Sequence, residues 1–216
     1  MNIIRDKQKR HEIKFVINSK EKSKFIIKNN LSILFPDRIV ESIYFDTNDL
    51  KFFNLNEEGV TPRKKVRIRG YNNGELKNLE IKMTNNHHRE KIVFKNFKFD
   101  NHDLHKNLRK IGIGETVKEK IRVKYLRSYY FLQGVGRITI DRNIEFLSPN
   151  RNYHNPKKTN EMIMEVKIQN NKFDKNSIEK IINLKESRFS KYCTGINCLY
   201  RPNWSNRCEP FSLDSC

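Results

Sequence analysis

Along much of the chain, apolar and polar side chains alternate one by one, the pattern of a β-strand with two unlike faces. Residues 11–17 set Ile13, Phe15 and Ile17 on one face and Glu12 and Lys14 on the other. Similar runs occupy 42–46, 65–69, 79–83, 89–94, 124–132, 136–142 and 162–168. Asn72-Asn73-Gly74 marks a turn between two of them, and Gly134 with Gly136 marks another. Helical spacing is rarer. Ser19 is the predicted cap of a helix reaching residue 34, with Phe25, Ile26, Leu31 and Leu34 inward and Pro36 as its stop. Asp100 or Asn101 caps a second, which ends at Gly112. Ser177 caps a third, with Ile178, Ile181, Ile182 and Leu184 as the buried stripe. Eight strands without strand–helix alternation predict an α+β fold: an antiparallel eight-stranded β-barrel, or tunnel, with a few covering helices. The expected domain spans residues 1–200, with a polar loop at 150–160 and a loosely structured tail at 201–216.

The polar faces carry charge in a repeated form. Glu12 and Lys14, Glu80 and Lys82, and Glu165 and Lys167 each share a strand face. Lys65, Arg67 and Arg69 line up opposite Val66 and Ile68, Arg89 and Lys91 form a basic pair, and Arg137, Thr139 and Asp141 project together. A half-solvated sheet explains any one of these, through cross-strand pairs of about 0.2–1 kcal/mol each. Their conjunction changes the picture. In a closed barrel one face is the lumen, and a lumen crowded with Lys and Arg repels itself unless an anion is present. Phosphate oxygens suit both cations, Arg bidentately and Lys as a point charge. The glutamates would hold some cations in position, and one or two would ligate Mg²⁺ or Mn²⁺, which prefer carboxylate and phosphate oxygens.

Composition narrows the partners. The 216 residues are 36% hydrophobic and 32% charged, with a formal net charge of +19. Aromatic and β-branched residues in periodic runs exclude disorder. The positive excess attracts polyanions as a class: nucleic acid, anionic membrane or phosphorylated small molecules. Nucleic acid is not expected, because Phe15 and Phe94 fall opposite the charges instead of among them. No run approaches the roughly 20 apolar residues of a membrane span, and residues 1–14 lack the apolar stretch of a signal peptide. A cytoplasmic protein is therefore expected. Cys193, Cys198, Cys208 and Cys216 form no C-x-x-C pair and read as buried or tail thiols. His87 and His88 read as solvated turn residues, and no Ser–His–Asp or Cys–His set stands out.

In order and spacing, the E-x-K first strand, S-I-Y-F-D, K-V-R-I-R, L-E-I-K, K-Y-L-R-S-Y-Y-F, R-I-T-I-D, M-E-V-K and the closing S-R-F-S-K-Y-x-x-G resemble the VTC domain. This is the polyphosphate polymerase domain of vacuolar transporter chaperone complexes, within the triphosphate tunnel metalloenzyme superfamily. The resemblance covers residues 9–200. It implies a β-barrel tunnel that transfers the γ-phosphate of ATP to inorganic polyphosphate, primed by pyrophosphate, with Mn²⁺ or Mg²⁺ as cofactor. It assigns Lys14, Arg67, Arg69, Lys82, Arg127 and Lys191 to the catalytic wall. Substrate binding would extend to Lys65, Arg89, Lys91, Arg137, Lys167, Arg188, Ser190 and Tyr192. Glu165 would hold the metal, with Glu12 and Glu80 as further ligands. A triphosphatase of the same superfamily and a non-catalytic polyanion-binding module are the alternatives. The expectation is a tunnel domain without the inositol-phosphate-sensing domain and membrane segment of the eukaryotic family members, working in the cytosol or docked on a separate membrane partner.

Overall fold

In a computed structural model, which describes residues 3–6, 12–86, 88–149, 156–168, 174–201 and 209–210, the alternating runs become strands of one antiparallel sheet. The elements in chain order are β1 (Ile3–Asp6), β2 (Glu12–Ile17), α1 (Ser19–Lys28), β3 (Ser32–Asp46), α2 (Lys51–Glu58), β4 (Arg63–Tyr71), β5 (Asn78–Asn85), β6 (His88–Phe94), α3 (Asn101–Arg109), β7 (Lys118–Leu132), β8 (Gly136–Leu147), β9 (Lys157–Thr159), β10 (Met162–Ile168), α4 (Lys175–Ile182), α5 (Lys191–Tyr200) and β11 (Glu209–Pro210). All eight predicted strands are present, and the short β1, β9 and β11 join them. The ladders run β1-β6-β5-β4-β3-β7-β8-β10-β2, with β9 attached to β8 and β11 to β9.

The antiparallel α+β tunnel is thus observed, but hydrogen bonds do not close it. Among the described residues no ladder joins β1 to β2, so the sheet is a curled path with a seam. Side chains act across the lumen instead. Lys82 on β5 bears electrostatically on Glu12 of β2 and Glu165 of β10. Register fixes what the lumen contains. Lys82 stands between Lys65 and Lys91, Arg67 faces Glu80, Arg127 faces Asp141, and Lys14 faces Glu165. A slip of one residue would turn all of these outward.

The outer face is apolar and covered by helices, as the alternation predicts. Val66, Ile68, Leu79, Ile81, Ile92 and Phe94 pack under Leu104 and Leu108 of α3 and Phe52 of α2. Ile13, Phe15, Ile138, Ile140, Met164 and Val166 pack under Phe25 of α1 and Ile178 and Ile182 of α4. The inner face carries a core that the sequence reading did not foresee. Ile121, Val123, Tyr125, Ile144, Phe146 and Ile163 line one end of it and are covered by Tyr192, Cys193 and Ile196 of α5.

Helix ends depart from expectation for identifiable reasons. Asn18, not Ser19, caps α1: its Oδ1 accepts from Glu21 N at 2.9 Å while Glu21 Oε2 accepts from Asn18 N at 2.8 Å, a reciprocal capping box. The helix stops at Lys28 instead of continuing to 34, because Asn29 and Asn30 end it, Asn30 with φ +45°. The chain then enters β3, and Pro36 sits where the pairing register with β7 shifts, between Phe35 and Arg38. Asp174, not Ser177, caps α4 by accepting from Ser177 N at 2.8 Å. Asp100 caps α3. Residues 157–159 are strand where a polar loop was expected. Cys193 is a free buried thiol, but Cys198 is disulfide-bonded, which corrects its reading as a thiol. Cys208, Cys216 and His87 lie outside the described residues, and His88 is exposed.

Gly195 lets α5 reach the sheet. A Cβ there would stand 2.6 Å from Ile121 Cδ1 and 2.6 Å from Phe146 Cδ1. Gly195→Val is expected to destabilise the protein by about 1–3 kcal/mol, the usual range for overpacking, read as a lowered urea midpoint.

Candidate active site

Two buried carboxylates organise the inner wall. Glu80, 5% exposed, accepts from Arg67 Nε at 2.8 Å and from Lys91 Nζ at 2.8 Å, and lies 3.7 Å from Arg69 NH1. Burial pushes its carboxyl up, but Arg67, Arg69 and Lys91 prevail and hold it well below the usual carboxylate range. Burial likewise opposes the Arg67 charge, and Glu80 and Tyr44 reverse that effect. The remaining donors find hydroxyls: Arg67 NH1 donates to Tyr44 Oη at 3.0 Å, Arg69 Nε to Ser42 Oγ at 3.2 Å, and Arg69 NH2 to Tyr125 Oη at 3.1 Å.

Asp141, fully buried, does the same for the next strand pair. Arg127 grips it bidentately, Nε to Oδ1 at 2.6 Å and NH2 to Oδ2 at 2.8 Å, and Lys191 Nζ lies 2.5 Å from Oδ2. The Tyr125 ring lies under both cations, 4.7 Å from Lys191 Nζ and 5.3 Å from Arg127 Cζ. These rings add cation–π attraction where water is excluded.

A third group lies on β2 and β10. Lys167 Nζ is 2.7 Å from Glu12 Oε1 and 3.1 Å from Glu165 Oε1. Burial raises the Glu165 carboxyl, but Lys167, Lys14, Arg127 and Lys82 hold it well below the usual range. Lys14 itself donates to the Phe189 carbonyl at 3.0 Å. Across the lumen the lysines are less settled. Burial, then neighbouring cations, brings Lys82 down to about 7. Burial brings Lys65 down to about 8, although its Nζ donates to Ser190 Oγ at 2.9 Å.

The catalytic-wall residues named from sequence therefore meet on one surface, together with Lys65, Lys91 and Lys167. Others are placed differently. Arg137 lies on the inner face beside Lys167, towards one mouth. Arg188 donates to the carbonyls of Asn56 and Glu57 at the end of α2, the latter at 2.7 Å. Arg89 is exposed at the start of β6, and Arg63 feels both Arg89 and Arg188. Ser190 caps α5. The Tyr192 hydroxyl donates to buried Asp46, which also accepts from the first N–H groups of α2. Tyr192 thus anchors α5 to α2. Sequence reasoning missed Ser42, Tyr44 and Arg63, though all three share a face with charges that it did identify.

Among the described residues no three His, Cys, Asp or Glu side chains gather in a metal-ligating cluster. Glu80 is spent on three cations. Glu12 and Glu165 converge on one ammonium, and the buried hydroxyl of Thr139, cross-strand from Glu165, has no partner among the described residues. Two carboxylates with hard oxygen donors fit Mg²⁺ or Mn²⁺ when phosphate oxygens complete the shell.

A curled antiparallel sheet with cations converging inside it defines a tunnel-like fold with a basic lumen. Solved structures share this fold, two of them as examples. PH1819 protein from Pyrococcus horikoshii superposes with a TM-score of 0.53 at 18% identity, over 87% of this chain and 96% of that one. A candidate adenylate cyclase from Bacillus halodurans gives 0.56 at 11% identity, over 86% and 95%. No curated protein sequence matches the chain. The VTC domain family matches residues 9–200, and the chain belongs to that family.

Glu80→Gln is expected to cost about 3–5 kcal/mol of stability at neutral pH, as does any buried pair that loses one partner. The Glu80 pKa is depressed in the folded state, so its contribution is complete above the ordinary carboxyl value of about 4.3. It fades as pH falls through the lower folded value. Chemical denaturation across pH should therefore show a weaker acid dependence in the variant. Lys82 gives a second expectation. At pH 8 most Lys82 is neutral in the free protein, with its pKa near 7, and a bound triphosphate would restore its charge. Binding at pH 8 should take up protons, seen by calorimetry in buffers of different ionisation enthalpy, and Lys82→Arg should reduce the uptake.

Proposed function

We propose that the protein is a polyphosphate polymerase that transfers the γ-phosphate of ATP to the end of an inorganic polyphosphate chain. The observation that carries this reading is how the inner cations are paired. Arg67, Arg69, Arg127 and Lys191 are ion-paired to Glu80 and Asp141, while Lys14, Lys65 and Lys82 have only neutral hydrogen-bond partners or none among the described residues. Phosphate oxygens in the lumen would give these lysines the anionic partners they lack.

Phosphoryl transfer asks chiefly for positioning and charge neutralisation. Arg67, Arg69 and Arg127 would fix the triphosphate, and Lys191, seated on Asp141, would meet the transferring group. A terminal oxygen of the acceptor chain would attack the γ-phosphorus in line. A new P–O bond forms as the bond to ADP breaks, and ADP leaves with the electron pair. The attacking oxygen is already anionic, so no general base is needed. Glu165, held ionised far below the usual range, is poorly suited to be one. Glu12 and Glu165 would hold Mg²⁺ or Mn²⁺, which would supply further neutralisation of phosphate charge. A hydrolase would have to activate water, and of the four inner carboxylates Glu80 and Asp141 are already committed to cations.

Purified protein incubated with ATP, Mn²⁺ and pyrophosphate should give a ladder of long phosphate chains on a gel. Glu165→Ala, Arg69→Ala and Lys191→Ala should each abolish it while leaving the protein folded by circular dichroism. Free phosphate without a ladder would make the protein a triphosphatase, and no ATP consumption would leave a polyanion-binding module.

A further inference from the structure

β4 runs from Arg63 at one mouth of the tunnel to Tyr71 at the other. The Tyr71 mouth carries a group that neither core packing nor charge pairing accounts for. Phe35 and Tyr129, cross-strand neighbours on β3 and β7, meet edge to face with ring centres 5.8 Å apart at 86°. The Arg38 guanidinium lies over both, 5.4 Å from the Phe35 centre and 5.6 Å from that of Tyr129. Tyr71 adjoins Tyr129 closely enough to influence its ionisation. Phe35 is 44% exposed and Tyr71 38%.

The position of Arg38 is informative. Its cross-strand partner is Arg127, another cation, whose carboxylate Asp141 already serves Arg127 and Lys191. Among the described residues Arg38 has no ion pair. Lying over two rings, it sets a cation among aromatic faces at the rim, cross-strand from Arg127 of the inner wall. A bare phosphate chain has no use for exposed aromatic rings. A ligand with an anionic end and a flat π-surface uses both, because bases stack on aromatic rings and on guanidinium planes alike.

We infer that Phe35, Arg38 and Tyr71 form a platform for the base of a nucleoside triphosphate, which enters by this mouth with its phosphates directed past Arg127 into the lumen. This rests on the tunnel reading above and adds to it a direction of substrate loading and a preference for nucleotide over inorganic triphosphate. The ring faces that would meet the base are those exposed on the charged side of the sheet, where Phe15 and Phe94 never appear.

Isothermal titration of a non-hydrolysable ATP analogue and of inorganic tripolyphosphate separates the two ideas. Phe35 is half-exposed, so its truncation leaves the three cores intact. Phe35→Ala should weaken the ATP analogue about tenfold, within the range of one stacked base, and leave tripolyphosphate unchanged. Phe35→Tyr should restore wild-type affinity. If both ligands weaken equally, or neither changes, the platform is not a base site, while the tunnel reading stands as long as tripolyphosphate binds. If tripolyphosphate fails to bind the wild-type protein, the tunnel reading falls and this inference falls with it.

Discussion

Two positive charges about 5 Å apart in a medium of effective dielectric near 20 repel by about 3 kcal/mol, and the inner wall of this sheet sets cations side by side on one strand after another. Glu80 and Asp141 make that tolerable. Each is buried and each takes more than one cation, Glu80 from both neighbouring strands and Asp141 from β7 and from α5. Tyrosine and serine hydroxyls take donors that the carboxylates cannot reach. The rest of the architecture follows from this arrangement. The charged face must turn inward, so the apolar face turns out, and α1, α3 and α4 are recruited to cover it.

Compensation stops short of neutrality. Lys65 and Lys82 sit in the same row as Lys91, and only Lys91 reaches Glu80. The pKa values of the other two fall towards neutral pH because burial and like charge work against the ammonium form. The wall is thus graded, from arginines locked on carboxylates to lysines whose charge depends on what occupies the lumen. On the proposed function, the paired arginines would orient a phosphate chain, and the lysines among them would respond to its arrival.

The strands and the identity of most wall residues were legible in sequence because i, i+2 spacing reports directly which side chains share a face. Glu12, Lys14, Arg67, Arg69, Lys82, Glu165 and Lys167 all face as the alternation implies. The misses have physical causes. α5 begins with Lys191 and is apolar nearly all round, so it shows no amphipathic stripe, and its partners are the inner residues of β7 and β8. Tyr192 reads as a phosphate ligand from its neighbours in the chain, yet its hydroxyl points to Asp46, some hundred and fifty residues earlier. The early end of α1 was encoded by Asn29-Asn30, a signal weaker than Pro36 but nearer. The seam could not be read at all, because closure depends on curvature rather than on any one strand's pattern.

Gly195 carries a consequence for the cations of the inner wall. α5 covers one end of the inner face, and its seat there depends on a close approach without a Cβ. A shift of α5 by one helical turn, about 5.4 Å, would carry Lys191 away from Asp141 and leave the cations borne by the strands in place. Relatives built on the same strands could therefore differ in their wall through one terminal helix, added after the sheet is complete.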